Sequence, residues 1–322
     1  MRGKFLALVF TLIAVLFVPA VSLGGQEPAR PWSPSSTADG QPDIQGMWTN
    51  FDRTPFEALT AEAWKDLDAL ALWFPGINSP SGRLSGPNPS SVFSGEITAE
   101  QSVARRSMVI DPSDGRLPIL PAAAAFRDER IRRLTDSWMF HTPWERCITR
   151  GVPGVMFPTY NSGHLILQSP GYVVILSEMI HAVRVIPLNP RRPRLPSQIK
   201  QWEGSPRGRW EGQTLIVEID NYNDKGTVGT NLGTLRLRGI PQSEALRVVE
   251  RFTIEDQDTI RYDVTVDDPG AFARPWTASM PLNRSPNYEI FEYACHEGNY
   301  GLPNTLSGAR TYEKHSEGEA SK

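Results

Sequence analysis

From His164 onward, apolar residues recur at every second position of the chain. This period is typical of β-strands with one buried face, because successive side chains point to opposite sides of a sheet. Hairpin signals such as Pro170-Gly171 and Glu211-Gly212 separate several of the segments. The predicted strands are 164–169, 171–178, 181–187, 213–221, 232–238, 244–254, 259–267, 274–282 and 287–295. So many consecutive strands at short spacing predict a mainly β fold, either an antiparallel β-barrel or a strongly curved sandwich.

The region before the strands has a different pattern. Residues 25–140 predict an N-terminal arm, two helices and an irregular cover around the barrel. Helical spacing of apolar residues predicts one helix from Thr60 to about Phe74, and a second from Pro121 to about Trp138. The barrel domain is predicted over 141–312, and a polar tail over 313–322.

The first 24 residues have the pattern of a secretory signal peptide. Arg2 and Lys4 precede a long apolar run, and small residues follow it. Cleavage is expected after Ala20 or Gly24, and an uncleaved membrane anchor is the alternative. The pattern therefore predicts a periplasmic or secreted protein.

Composition restricts the partners. The chain has 322 residues and a formal charge of −3, which becomes −5 when cleavage removes Arg2 and Lys4. Mild acidity without a long basic run argues against nucleic acid. No later apolar run is long enough to span a bilayer, so no stable membrane insertion is expected after cleavage. The oligomeric state stays open.

Cys147 and Cys295 are the only two cysteines of the chain. In an oxidising compartment, two cysteines in one chain favour a disulfide bond between them. The alternative is a free Cys295 that acts in catalysis or metal binding.

Several charged residues fall on strand faces that are otherwise apolar. Glu178 and Arg184 share one such face, Glu250 lies on another, and Glu292 and His296 share a third on the last predicted strand. A buried charge is costly unless it is paired, so this pattern predicts a polar lumen that binds a molecule. The alternatives are a structural ion pair between Glu178 and Arg184, and a solvent-facing Glu250 if the register is shifted by one.

His181 faces away from this set unless a turn at Met179-Ile180 redirects it. If it is redirected, an acid–base site forms: His181 or His296 moves the proton, Glu178 and Glu292 orient it, and Arg184 holds the substrate. The remaining predicted substrate contacts are Glu250, Asn299 and Tyr300.

No cofactor is predicted. A divalent metal held by His181, His296 and a carboxylate is a minor alternative, because two His and one Glu suit zinc. The chain contains no HExxH, CxxC or GxSxG motif, no P-loop and no dinucleotide fingerprint.

Four segments of the chain are distinctive: RCITRGVPG at 146–154, EMIHAVRVIPL at 178–188, GRWEG at 208–212 and ACHEGNY at 294–300. They resemble segments of a family of exported soil-bacterial proteins for which no reaction is established. The resemblance covers about residues 40–310 and implies a β-rich, lipocalin-like domain, but it assigns no catalytic residue.

These observations support three functional hypotheses. The first is an exported hydrolase, lyase or isomerase that acts on a small organic molecule, such as a carbohydrate or a plant-derived compound. The alternative is a non-catalytic, lipocalin-like protein that binds a small molecule, since barrels of about eight strands hold ligands. A structural or interaction module of the cell envelope is the third. If the protein is an enzyme, we expect titratable groups to converge on one pocket.

Overall fold

The computed structural model describes residues 32–50, 52, 54–58, 107–189, 191, 193–229 and 236–320, and residues 34–322 belong to one compact unit. Within the described residues there are ten β-strands and two α-helices. The strands are β1 (Gly46–Thr49), β2 (Val109–Asp111), β3 (Gly163–Ser169), β4 (Tyr172–Ser177), β5 (Ala182–Pro187), β6 (Ser205–Glu211), β7 (Thr214–Asp220), β8 (Arg247–Ile254), β9 (Thr259–Asp267) and β10 (Trp276–Arg284). The helices are α1 (Pro121–Arg132) and α2 (Gly301–Ala320).

Nine of the strands form an antiparallel, nearly closed barrel. Their hydrogen-bonded order is β5-β4-β3-β1-β10-β9-β8-β7-β6, and β2 pairs with β10. β1 therefore joins two halves, β3–β5 and β6–β10, each of which consists of strands that follow one another along the chain. The predicted mainly β, antiparallel barrel is confirmed.

Alternation places the core inside the barrel. In β4, Val173, Ile175 and Ser177 are buried, whereas the side chains between them face outward. β8 and β9 repeat the pattern, whereas β7 and β10 bury several successive residues. One continuous apolar core therefore fills much of the interior. Two-residue turns with glycine at positive φ connect the β3–β4 and β6–β7 hairpins, at Gly171 and Gly212.

The barrel's two end strands, β5 and β6, approach each other at a glycine. A Cβ atom at Gly208 of β6 would lie 2.8 Å from Ile186 Cγ2 of β5 and 2.6 Å from Leu188 Cδ2. Only a residue without a side chain fits beneath these two apolar groups. Gly208 therefore permits the near closure of the barrel at this seam.

Most strands lie close to their predicted positions, with one clear exception. The segment 287–295 is not a strand but an irregular stretch that follows β10. β10 already pairs with β9 on one side and with β1 and β2 on the other, so neither edge of β10 is open to a strand that follows it. The prediction that Glu292 and His296 lie on an inward strand face is wrong for this reason.

Other elements differ from prediction in extent. The second predicted helix ends at Arg132 rather than near Trp138, because Arg133 leaves helical geometry. β1, β2, β6 and α2 were not predicted. The helix predicted at 60–74 lies outside the described residues, as do residues 232–235, while 236–238 form no strand. In the described part of the chain, no helix has both the length and the apolar character needed to cross a bilayer.

Candidate functional site

A buried ion pair crosses the barrel interior. Arg184 of β5 and Glu250 of β8 form a two-pronged salt bridge, with 3.0 Å between Nη1 and Oε1. The Tyr262 hydroxyl donates a further hydrogen bond of 2.8 Å to Glu250. Burial alone would lower the pKa of Arg184, but the attraction of Glu250 outweighs it and raises that pKa. This pair is inaccessible to solvent and already satisfied, so the structure does not place Arg184 or Glu250 in an open site.

His164 lies in the same interior and is 1% exposed. Its Nδ1 is 2.9 Å from the Ser177 hydroxyl. Burial, together with the positive charges of Arg184 and Arg150, lowers the pKa of His164 to about 3. The imidazole is therefore neutral at physiological pH, which removes it from proton exchange in that range.

The two cysteines meet outside the barrel interior. Their sulfur atoms are 2.01 Å apart, which is disulfide-bonding distance, and the predicted pairing is confirmed in geometry. The bond joins the loop that precedes β3 to the irregular stretch 285–300 that follows β10. Residues that flank the two cysteines are brought together by this connection.

A cleft with a cavity volume of about 570 Å³ opens beside the disulfide, and we call it the disulfide cleft. One wall comes from the loop around Cys147 and from the turn before β3. The other comes from the stretch around Cys295 and from the first turn of α2. The lining side chains include Trp144, Glu145, Tyr160, Asn161, Glu292, Tyr293, Asn299 and Thr305.

Aromatic side chains form much of the cleft surface. The ring centroids of Trp144 and Tyr160 are 6.4 Å apart, and the hydroxyls of Tyr160 and Tyr293 are 3.2 Å apart. Behind them lies Arg150, which is 1% exposed and has its guanidinium carbon 5.7 Å from the centre of the Trp144 ring. Burial raises the pKa of Tyr160, and its hydrogen bond with Tyr293 adds to the rise, so Tyr160 stays protonated.

The two carboxylates that line the cleft are in different states. Glu145 accepts hydrogen bonds from Arg238 at 2.8 Å and from the backbone and side chain of Thr142. Glu292, by contrast, makes no hydrogen bond or ion pair within the described residues. Glu145 is therefore part of the wall, while Glu292 is available to a bound molecule.

The two asparagines of the cleft are held by their neighbours. The side-chain amide of Asn299 donates a hydrogen bond of 2.9 Å to the Glu145 backbone carbonyl. Its oxygen accepts a hydrogen bond from the backbone N–H of Leu302 at the start of α2. The Asn161 amide donates to the carboxylate of Glu178. These bonds fix the asparagine orientations and connect the cleft wall to the barrel and to α2.

Glu178 lies beneath the cleft rather than in it. It is 1% exposed, and its second carboxylate oxygen accepts a hydrogen bond of 2.6 Å from the Tyr288 hydroxyl. Burial raises the pKa of Tyr288, and the hydrogen bond to Glu178 adds to the rise, so Tyr288 remains the donor. Glu178 thereby orients Asn161 and holds the segment that follows β10.

The predicted histidines do not line the cleft. A short helical turn, Met179–His181, does redirect His181. The side chain is exposed at the surface, however, and does not join the predicted acid–base site. Its Nδ1 lies 3.3 Å from the Tyr293 carbonyl oxygen. His296 and Tyr300 are exposed and are not lining residues either.

Of the predicted site residues, the structure thus brings only Glu292, Asn299 and the two cysteines to one cavity, and places Glu178 directly behind it. Sequence analysis missed Trp144, Tyr160, Asn161 and Tyr293. The predicted disulfide contained a signal for Trp144 and Tyr293, because it implies that neighbours of Cys147 meet neighbours of Cys295. Tyr160 and Asn161 carry no comparable signal, since their position depends on the turn into β3.

Within the described ranges, no group of three or more His, Cys, Asp or Glu side chains is arranged to hold a metal ion. Comparisons with protein-family models, with curated proteins and with solved structures find no significant match. The geometry of the disulfide cleft is therefore the basis for assigning a function.

Proposed function

We propose that this protein is exported and binds a small molecule in the disulfide cleft. The observation that carries the proposal is the cleft itself. Its volume of about 570 Å³ lies in the range of small-molecule sites, which combine apolar surface with a few convergent polar groups. The apolar part is aromatic, and the polar part includes the Glu292 carboxylate, which has no partner among the described residues.

Binding is favoured over catalysis because the predicted acid–base groups are separated. Arg184 and Glu250 neutralise each other inside the barrel, and His181 is outside the cleft. General acid–base catalysis needs a titratable group within hydrogen-bond reach of the reacting atoms, and usually two. Of these groups, only Glu292 meets that condition here.

The proposal is tested with a variant that fills the cleft. Ala294 lines the cleft and is exposed, whereas Glu297 is exposed and does not line it. We expect Ala294→Trp to abolish the binding of ligands found in a fragment screen by ligand-observed NMR, because the indole occupies their space. Glu297→Trp is the matched control and should bind normally. Equal binding by both variants would place the ligand elsewhere and reject the proposal.

A second candidate function is an enzyme in which Glu292 acts as acid or base. The unpartnered carboxylate in a cleft that also holds two tyrosine hydroxyls supports it. Glu292→Gln keeps the shape of the side chain but cannot transfer a proton. If the cleft is catalytic, this variant should lose turnover of a bound compound while affinity changes only a few-fold. Unchanged turnover would eliminate Glu292 as a catalytic residue.

Export is part of the proposal and is supported by the signal-peptide pattern and by the resemblance to exported proteins. N-terminal sequencing of the protein recovered from the periplasm or the medium should begin at residue 21 or 25. Recovery of the full-length chain in the membrane fraction would favour the uncleaved anchor.

A further inference from the structure

The charge of the disulfide cleft restricts its ligand, if the cleft binds a small molecule as proposed above. Among the described residues that line the cleft there is no Lys or Arg. Glu292 adds an unpaired negative charge at its surface. An anionic ligand would meet repulsion from Glu292 and would find no lining cation to pair with.

A cationic ligand is disfavoured by the positive charge of Arg150, which lies behind the aromatic rings of the cleft. The buried guanidinium of Arg150 already lies against the Trp144 ring, and it interacts electrostatically with Tyr160 and Tyr293. Burial lowers the pKa of Arg150 only to about 10, so it is a cation at neutral pH. A second cation on the same aromatic surface would be repelled by it. The ligand that fits both sides is therefore neutral.

The free polar atoms of the cleft include both acceptors and donors, since the tyrosine pair shares one hydrogen bond and keeps one hydroxyl hydrogen. One N–H of the Asn161 amide is engaged with Glu178, which leaves its oxygen and its second N–H free. Thr305 donates 2.8 Å to the Gly301 carbonyl, which leaves its hydroxyl lone pairs free. Glu292 is an acceptor when ionised. A ligand that matches this set must supply donors as well as acceptors, as hydroxyl groups do.

The aromatic surface adds the final condition. Trp144 has Arg150 against its ring, and it lines the cleft beside Tyr160 and Tyr293. Aromatic faces carry partial negative charge and attract weakly positive C–H groups. A molecule with hydroxyl donors around its edge and C–H groups on its face meets every condition at once.

We propose that the ligand of the disulfide cleft is a neutral carbohydrate, which places a C–H face of a sugar ring against Trp144 and donates hydroxyl hydrogens to Glu292 and Asn161. The open cleft extends along the tyrosine pair toward α2, so a short oligosaccharide fits it better than a single ring. No charged sugar is required.

The test measures binding of a matched panel to the folded, oxidised protein by isothermal titration calorimetry and saturation-transfer NMR. The panel contains neutral di- and trisaccharides, the corresponding uronic acids, amino sugars and phenolic compounds without sugar. We expect neutral saccharides to bind, and uronic acids and amino sugars to bind at least about tenfold more weakly, as one unfavourable charge contact implies.

Variants assign the contacts. Trp144→Ala should weaken saccharide binding about tenfold or more, and Trp144→Phe should retain most of it, because a flat ring remains. Glu292→Gln should weaken binding only a few-fold, since one acceptor oxygen is retained. Ala294→Trp should abolish binding and Glu297→Trp should not.

The outcomes separate the two proposals. Binding of amines, acids or phenolics in preference to neutral saccharides, with loss in Ala294→Trp, would reject the carbohydrate and keep the cleft as a binding site. Saccharide binding that survives Ala294→Trp would reject this site for the carbohydrate. Absence of binding across the panel and across a fragment library would reject both proposals.

Discussion

The barrel interior and the disulfide cleft contain similar side chains in different states. Each has a carboxylate and a tyrosine hydroxyl, and an arginine lies in the interior pair and behind the aromatic rings of the cleft. In the interior, Glu250 is bonded to both Arg184 and Tyr262 and is sealed from solvent. In the cleft, Glu292 is exposed and has no protein partner in the described structure.

The difference separates stability from function. A charged group that is buried and fully bonded has no capacity left for a ligand, and removing its partner is costly. An exposed group in a concave site contributes little to folding but is free to bind. Residue type is therefore a poor guide to a site by itself. The state of hydrogen bonding and the access to solvent distinguish the two regions.

The largest predicted effect is on the interior. Glu250→Leu leaves Arg184 buried without its counter-charge, and we expect a loss of about 3–5 kcal/mol in the free energy of unfolding. The double variant Arg184→Met/Glu250→Leu should recover most of the loss, because no uncompensated charge remains. Urea denaturation measures both variants.

The control for this prediction is the exposed pair of Arg209 and Glu218. Glu218→Ala should cost less than about 1 kcal/mol, as is usual for surface ion pairs. If Glu250→Leu lowers the free energy of unfolding by less than about 1 kcal/mol, the interior pair contributes no more to stability than a surface pair.

The second effect is expected at the disulfide, which borders the cleft. Replacing both Cys147 and Cys295 by serine should cost about 2–5 kcal/mol of stability in denaturant unfolding. It should also abolish ligand binding at temperatures where the variant remains folded, because the segment that carries Glu292 and Tyr293 loses its covalent link to Trp144. Full binding by the folded double variant would show that the cleft forms without the bond.

The third effect is a pH dependence that arises in the interior. The pKa of His164 is about 3 in the folded protein and about 6.5 in the unfolded chain. Below pH 6.5 the unfolded chain binds the proton and the folded protein does not, so stability falls as pH falls. Between pH 6.5 and 5 the loss is about 2 kcal/mol.

This dependence is measured by urea unfolding at both pH values. His164→Gln should reduce the difference by about 2 kcal/mol, whereas the exposed His315→Gln should leave it unchanged. Identical pH dependence in the wild type and in His164→Gln would show that His164 is accessible to protons in the folded state.

Five strands with a largely buried face could be predicted from the sequence with accurate bounds. β3, β4, β5, β7 and β9 lie within about a residue of their predicted bounds, because one buried face imposes a period of two. β6 was missed because its sequence, SPRGRWE, is only partly buried and does not alternate. α2 was missed because its sequence contains Pro303, three glycines and two serines, which are weak helix formers.

The candidate site was predicted in part. Alternation identified Arg184 and Glu250 as inward-facing, but a strand pattern does not reveal that two inward residues on distant strands bond to each other. The segment that carries the predicted site residues Glu292 and Asn299 does border the cleft. Its conformation was mispredicted, because an apparent alternation continues past the last strand that the sheet can accept.

The disulfide also determines how the molecule would respond to force. Cys147 and Cys295 are separated by 148 positions in the sequence, and β3 to β10 all lie between them. A pull on the two chain ends would pass through the sulfur–sulfur bond and bypass these eight strands. β1 lies outside the covalent loop, yet it sits between β3 and β10 in the sheet. Tension would therefore separate β1 from β3 and β10 first and open the barrel there. The strands enclosed by the disulfide, β3 to β10, would carry no force.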